Sequence, residues 1–157
     1  MNDNKEIIEK LYSSFSRLDW KGMQECYHRD AVFFDPVFEN LNYDELVSMW
    51  KMLCSRAKDF NLVFSAVKAD EEYGSCRWTA TYLFSQTGRK VVNNVKSHFK
   101  FHEGLILEQM DDFNFWNWSR QALGTGGALL GWSSFLKNKV RSKAKSGLHH
   151  FMTKNNS

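Results

Sequence analysis

Two acidic residues sit among neighbours that disfavour charge. Asp35 is embedded in Phe33-Phe34-Asp35-Pro36-Val37-Phe38, and Asp111 falls on the apolar face of an alternating run with Leu105, Leu107, Phe113 and Phe115. A carboxylate in apolar surroundings loses hydration, and its pKa rises towards neutrality, where it can serve as base or acid. Two carboxylates in one cavity shift each other further and titrate as a pair. The preceding run adds Asn93 and Ser97 to the face carrying Val91, Val95, Phe99 and Phe101. An apolar cavity with a few convergent polar groups is the usual form of a small-molecule site.

Each of these residues also has a plain structural reading. Asp before Pro commonly caps a turn. Asp111 can sit at a sheet rim, hydrogen-bonded by backbone amides. Asn93 and Ser97 can be structural, and a single β-bulge would exchange the two faces. His98 alternates outward with Lys96 and Lys100, as a solvated or interface histidine does, and the adjacent His149 and His150 make a poor metal site. Gly124-Thr125-Gly126-Gly127 lacks the Gly-Lys-Ser/Thr ending of a phosphate loop and the strand-glycine-helix setting of a dinucleotide motif, so it reads as a hinge. The tryptophans read mostly as core, with Trp116 and Trp118 placed to contact a ligand at a cavity mouth.

A site of this kind needs a scaffold, and the periodicity supplies one. Residues 4–18 place Ile7, Ile8, Leu11, Tyr12, Phe15 and Leu18 on one helical stripe. Asp19 can cap a short second helix carrying Trp20, Met23 and Cys26 or Tyr27. Ala31 to Phe34 is a short β-prone run. Asn42-Tyr43-Asp44-Glu45 resembles a capping box before a third helix with Leu46, Met49, Trp50, Leu53 and Ala57. After residue 59 the period changes to two. Phe60, Leu62, Phe64 and Ala66 form one face of a first long strand, and Cys76, Trp78, Ala80, Tyr82 and Phe84 one face of a second. Val91, Asn93, Val95, Ser97, Phe99 and Phe101 mark the third, and Leu105, Leu107, Gln109, Asp111, Phe113 and Phe115 the fourth. Gln86 to Arg89 and Glu103-Gly104 are the turns between them. Helices followed by four antiparallel strands define an α+β domain with one sheet face buried on the helices.

The 157 residues suit one pocket domain over 1–123, a glycine-rich hinge over 124–131, and a basic amphipathic tail helix over 132–157. In the tail, Trp132, Phe135, Leu136, Val140, Ala144, Leu148, Phe151 and Met152 fall on one face, and Lys137, Lys139, Arg141, Lys143 and Lys145 cover the rest. All 18 acidic residues lie in 1–112 with 14 basic ones, a net −4, whereas 113–157 holds seven basic residues and no acid. The resulting net charge of +3 is too weak to argue for nucleic acid. No apolar run approaches a membrane span, and the polar start Met1 to Glu6 is not a signal peptide. Three widely spaced cysteines, Cys26, Cys54 and Cys76, read as reduced thiols in a cytoplasmic protein and not as a disulfide frame or metal site.

The helices, the run Tyr27-His28-Arg29-Asp30-Ala31-Val32-Phe33-Phe34-Asp35-Pro36, the Thr87-Gly88-Arg89 hairpin and the Phe99 to Ile106 turn resemble the SnoaL-like branch of the nuclear transport factor 2-like superfamily, over about residues 5–116. That branch includes ketosteroid isomerases, polyketide cyclases and limonene epoxide hydrolases. The resemblance implies a cone in which a curved antiparallel sheet wraps the N-terminal helices around an apolar pocket, and a homodimer through the sheet's outer face. Asp35 matches the ketosteroid isomerase base, which moves a proton between carbons beside a carbonyl. Ser97 stands at that enzyme's oxyanion-hole acid, and Leu11 at its tyrosine, with Tyr12 one residue on. Asp111 matches the carboxylate acting as acid or base in the cyclases and epoxide hydrolases. The hydrolase's Arg and Asp fall on Thr79 and Thr81, so neither enzyme's set is complete.

The resemblance therefore implies an isomerase- or cyclase-type protein for an apolar carbonyl compound, needing no cofactor and no metal. In it Asp35 takes a proton from carbon, and Asp111 donates to the developing enolate oxygen or returns the proton. Ser97, Asn93, Tyr82, Gln109, Phe113 and Tyr12 are the substrate-binding candidates. Whether the chain is an enzyme stays open, because a non-catalytic module holding a lipid-like ligand uses the same pocket. The tail helix can then touch an anionic membrane, but capping the pocket or packing on a partner subunit is the favoured placement for it.

Overall fold

The apolar stripe at the N-terminus forms helix α1 (Asp3–Ser16), whose Ile8, Leu11, Tyr12 and Phe15 are buried. The structure is a computed structural model and describes residues 3–125 and 134–155. Asp19 caps α2 (Trp20–Gln24) by accepting from the Gly22 amide at 3.1 Å, and α2 stops before Cys26 and Tyr27. The β-prone run extends on both sides into β1 (Tyr27–Asp35), and the chain turns at Pro36 to Phe38 into a short β2 (Glu39–Leu41). The capping box then opens α3 (Tyr43–Arg56): Asn42 Oδ1 accepts from the Glu45 amide at 2.9 Å, and Glu45 Oε1 accepts from the Asn42 amide at 3.0 Å.

Four long strands follow, β3 (Asn61–Ala69), β4 (Tyr73–Leu83), β5 (Lys90–His102) and β6 (Leu105–Asp112). The sheet order is β2-β1-β6-β5-β4-β3, a curved sheet that does not close on itself and wraps the helices as a cone. Every neighbouring pair is antiparallel except β1 with β6, which run parallel. That pairing puts the strand ending in Asp35 directly beside the strand carrying Asp111. α1 lies close against the sheet at Gly74, where a Cβ would stand 2.9 Å from both Ile8 Cδ1 and a Phe101 ring carbon. Asn4 Nδ2 pins the start of the same helix by donating to the Asp70 and Glu71 carbonyls at 3.0 and 3.1 Å.

Three parts differ from a uniform reading of the pattern. In β3 the register shifts between Ser65 and Lys68, Ala66 takes a positive φ of 54° and is exposed, and Val67 and Ala69 pack on the core instead. A shift between Lys100 and Phe101 similarly buries Ile106, while Gln109 and Asp111 keep the inward face expected of them. The last strand ends at Asp112, not Phe115. Asn114 accepts from the Asn117 amide at 3.0 Å and caps helix α4 (Phe115–Leu123), whose Phe115, Trp118, Ser119 and Ala122 are buried at helical spacing.

The tail forms a long helix, α5 (Ser134–Asn155). Its inward side runs through Leu136, Val140, Ala144, Leu148 and Phe151, with Leu148 fully buried, and the helix packs on α3. Phe135, expected on that side, points out and is 74% exposed. Trp132 and most of the glycine-rich hinge, residues 126–131, lie outside the described residues. Among the described residues, no helix is long and apolar enough to cross a membrane.

Candidate active site

The inward residues of the sheet and the facing sides of α3, α4 and α5 enclose a cavity of about 490 Å³. Asp35 and Asp111 both line it, together with Tyr82, Asn93 and Phe113. Tyr12, Ser97 and Gln109 do not line it; they stand behind Asp111 in a buried hydrogen-bond network. The site residues inferred from the sequence thus divide into five that face the cavity and three that support one of them.

Asp35 closes β1 and heads the turn after it. Its Oδ1 accepts from the Val37 amide at 2.8 Å and the Phe38 amide at 2.6 Å, so the turn-capping role and the pocket role coexist in one side chain. Burial pushes its pKa up to about 6, against the pull of the Phe38, Val37 and Glu39 amides and the positive charge of Arg141.

Asp111 is held differently. Ser97 Oγ donates to its Oδ1 at 2.6 Å and Gln109 Nε2 donates to the same oxygen at 3.0 Å. Ser97 Oγ in turn accepts from the Tyr12 hydroxyl at 2.6 Å and Trp78 Nε1 at 2.8 Å. Gln109 Oε1 accepts from the Tyr27 hydroxyl at 2.5 Å, and Trp50 Nε1 donates to that hydroxyl at 3.0 Å. Ser97 is thereby saturated, with its one donor and both acceptor sites in use. Burial raises the Tyr12 and Tyr27 hydroxyl pKa values well above the usual range, which keeps both as neutral donors. Both bonds to Asp111 fall on Oδ1, leaving Oδ2 as the oxygen available to the cavity. Burial, and secondarily the charge of Asp35, push Asp111 up to about 7, against the bonds from Gln109 and Ser97.

The network includes residues that periodicity alone does not mark as functional. Tyr27, Trp50 and Trp78 look like core aromatics in the sequence, and the structure uses their polar ends to orient Gln109 and Ser97. Trp118 lines the cavity and donates from Nε1 to the Tyr82 hydroxyl at 3.0 Å, whereas Trp116 does not line it. The hairpin between β4 and β5 fixes α4 in place: Thr87 Oγ1 donates to the Ala122 carbonyl at 2.6 Å and Arg89 Nε to the Gln121 carbonyl at 2.8 Å. A helical reading of residues 115–123 was available from Asn114 as a cap and from the spacing of Phe115, Trp118 and Ala122. Thr79 faces outward, with its hydroxyl on Asn94 at 2.7 Å, and the β4 residues at the cavity are Trp78, Ala80, Tyr82 and Leu83, none of them an Arg or an Asp.

α5 covers one side of the cavity with Leu136, Val140, Ala144 and Gly147. Polar contacts seat it there. Arg141 Nε donates to the Pro36 carbonyl at 2.8 Å, Lys145 pairs with Glu39 at 3.4 Å, and His149 meets Glu45 at 3.1 Å. The seat of α5 therefore runs from the turn that Asp35 caps, through β2, to the start of α3.

Among the described residues, one group could offer three metal ligands: His28, His102 and Glu103, away from the cavity. There His28 Nδ1 accepts from the Asp30 amide at 3.0 Å, so that ring nitrogen is already engaged. The cluster is better described as a polar surface contact.

The sequence model of the SnoaL-like domain matches residues 8–109, and the chain belongs to the SnoaL-like family. Solved structures agree at the level of fold. One is a protein from Catenulispora acidiphila with a ketosteroid isomerase-like fold, in complex with trimethylamine, at TM-score 0.65 and 6% identity over 74% of this chain and 92% of that one. IdmH, a putative polyketide cyclase from Streptomyces antibioticus, superposes at 0.64 with 17% identity over 78% and 99%. An M. tuberculosis LEH-like epoxide hydrolase superposes at 0.65 with 16% identity over 82% and 95%. Among curated proteins none matches the chain significantly in sequence.

Proposed function

We propose that this chain is a cofactor-free proton-transfer enzyme of the isomerase or cyclase type, acting on a compact apolar carbonyl compound. The observation that supports it most is the pair of buried carboxyls on one apolar cavity, with pKa values pushed up to about 6 and about 7. The lower of the two, Asp35, is the base. It takes a proton from the carbon beside the carbonyl. Asp111, protonated on Oδ2, donates to the oxygen on which enolate charge develops, and Ser97 and Gln109 hold it in that pose. Asn93, Tyr82 and Phe113 contact the substrate. General acid–base assistance of this kind contributes about 10²–10⁴-fold, and an oxyanion donor about 3–4 kcal/mol.

The test uses 2-decalone, an apolar bicyclic ketone, in D2O. The protein is expected to catalyse deuterium entry beside the carbonyl, and Asp35→Asn to lower that rate at least about 100-fold while keeping its fold. Unchanged exchange in the variant removes the base assignment. No exchange by the parent protein, with a lipid-like molecule retained in native mass spectra of protein from its source, would mean a binding module. In this reading the protein is a cytoplasmic homodimer and the tail helix closes the pocket. The free, buried Cys26, Cys54 and Cys76 support a reducing compartment, and the exposed Val32, Phe34 and Met110 on the outer sheet face support self-association.

A further inference from the structure

We infer that the pocket takes an amphipathic organic anion, with its carbonyl end buried beside Asp35 and Asp111 and its acidic group at the mouth beside Arg56, Lys139 and Lys143. This rests on the pocket reading above and adds the charge and direction of the ligand.

Five charged residues line the cavity, and they sort by depth. Asp35 and Asp111 are buried, whereas Arg56, Lys139 and Lys143 are exposed and so mark the mouth. Among the described residues, no exposed acidic residue lines it. The cations of α5 also divide by partner. Arg141 and Lys145 meet Glu39, but Lys139 and Lys143 form no ion pair among the described residues. They stand one turn apart, and like charges at that spacing repel on a helix. They flank the lining residues Val140 and Ala144, so the repulsion is concentrated at the edge of the opening. Arg56 reaches the same opening from the end of α3, its guanidinium 5.6 Å from the Phe151 ring of α5. An anion at this point relieves three converging positive charges. The same anion placed deep would lose hydration and meet two carboxyls, so only one orientation of the ligand is favourable. That orientation delivers the uncharged end to Asp35.

A matched pair of fluorescent probes tests this on the full chain: 1-pyrenebutyrate and 1-pyrenebutanol, which differ only in carboxylate against alcohol. At low salt the acid is expected to bind about tenfold more tightly than the alcohol. Added sodium chloride should weaken the acid alone. Arg56→Gln combined with Lys139→Gln and Lys143→Gln should bring the acid down to the affinity of the alcohol, with alcohol binding retained. Equal affinities in the parent protein, or a preference for the acid that survives the triple substitution, overturn the inference and leave the pocket reading standing. Binding of neither probe overturns both.

Discussion

In the proposed reaction the proton of Asp111 belongs on Oδ2, because Oδ1 already accepts from Ser97 and Gln109. Asp35 must be ionised to act as a base, and Asp111 protonated to act as an acid, so the pH profile of exchange should be bell-shaped. It should rise through about 6 and fall beyond about 7, as apparent values of a coupled pair. The Asp111 shift also bears on stability. Below about pH 4 the group is protonated folded and unfolded alike, and it contributes nothing. Between the ordinary value of 3.8 and about 7 the native state binds more protons than the unfolded state, so stability falls as pH rises. Above that range the full penalty applies, about 4 kcal/mol from a shift of roughly three units. Asp111→Asn keeps an acceptor for Ser97 and removes the buried charge. Urea unfolding at pH 8 should show the variant more stable by about 2–4 kcal/mol, with the difference gone at pH 4. A variant no more stable at pH 8 would mean that the carboxyl is not desolvated as described.

At the scale of elements, α5 does two things at once: its inner stripe covers the cavity, and Arg141 sits where its charge lowers the Asp35 pKa. Arg141→Met should therefore raise the Asp35 pKa and move the acid limb of the exchange profile to higher pH, by up to about one unit. An unmoved limb would show that Arg141 acts only as a structural tie to Pro36. Leu148 is the fully buried contact of this helix with the body. Leu148→Ala should cost about 2–4 kcal/mol, and in hydrogen exchange the lost protection should be concentrated in α5, because β4, β5 and β6 are held by their own ladders. Loss of protection spread evenly through the sheet would mean that α5 and the cone unfold as one unit.

For the whole molecule, the parallel pairing of β1 with β6 matters twice. Inside, it sets Asp35 near Asp111. Outside, it sets Phe34 opposite Met110, with Val32 on the same face, and Val32 and Met110 are about half exposed. Light scattering is expected to give the mass of a dimer, and Met110→Glu that of a monomer with its pocket intact. A monomeric parent protein would leave the outer face without this role.

Much was legible in the chain because its causes are local. The capping box of α3 lies within four residues, the stripe of α1 within one helix, and the apolar setting of Asp35 within six residues of sequence. The same local logic misplaced Ala66, where one positive φ exchanges the faces, and hid α4 behind an apparently continuing strand. The sequence by itself determined where most of the helices and the long strands form and which carboxylates sit among apolar neighbours, since periodicity and side-chain hydration act over a few residues. Only the tertiary structure decided that Asp35 and Asp111 open into one cavity, that Tyr12 reaches Ser97, and that Arg141 ties the tail helix to the turn after Asp35. Those contacts join residues dozens of positions apart, and they exist only once strand order and helix packing have brought distant segments together.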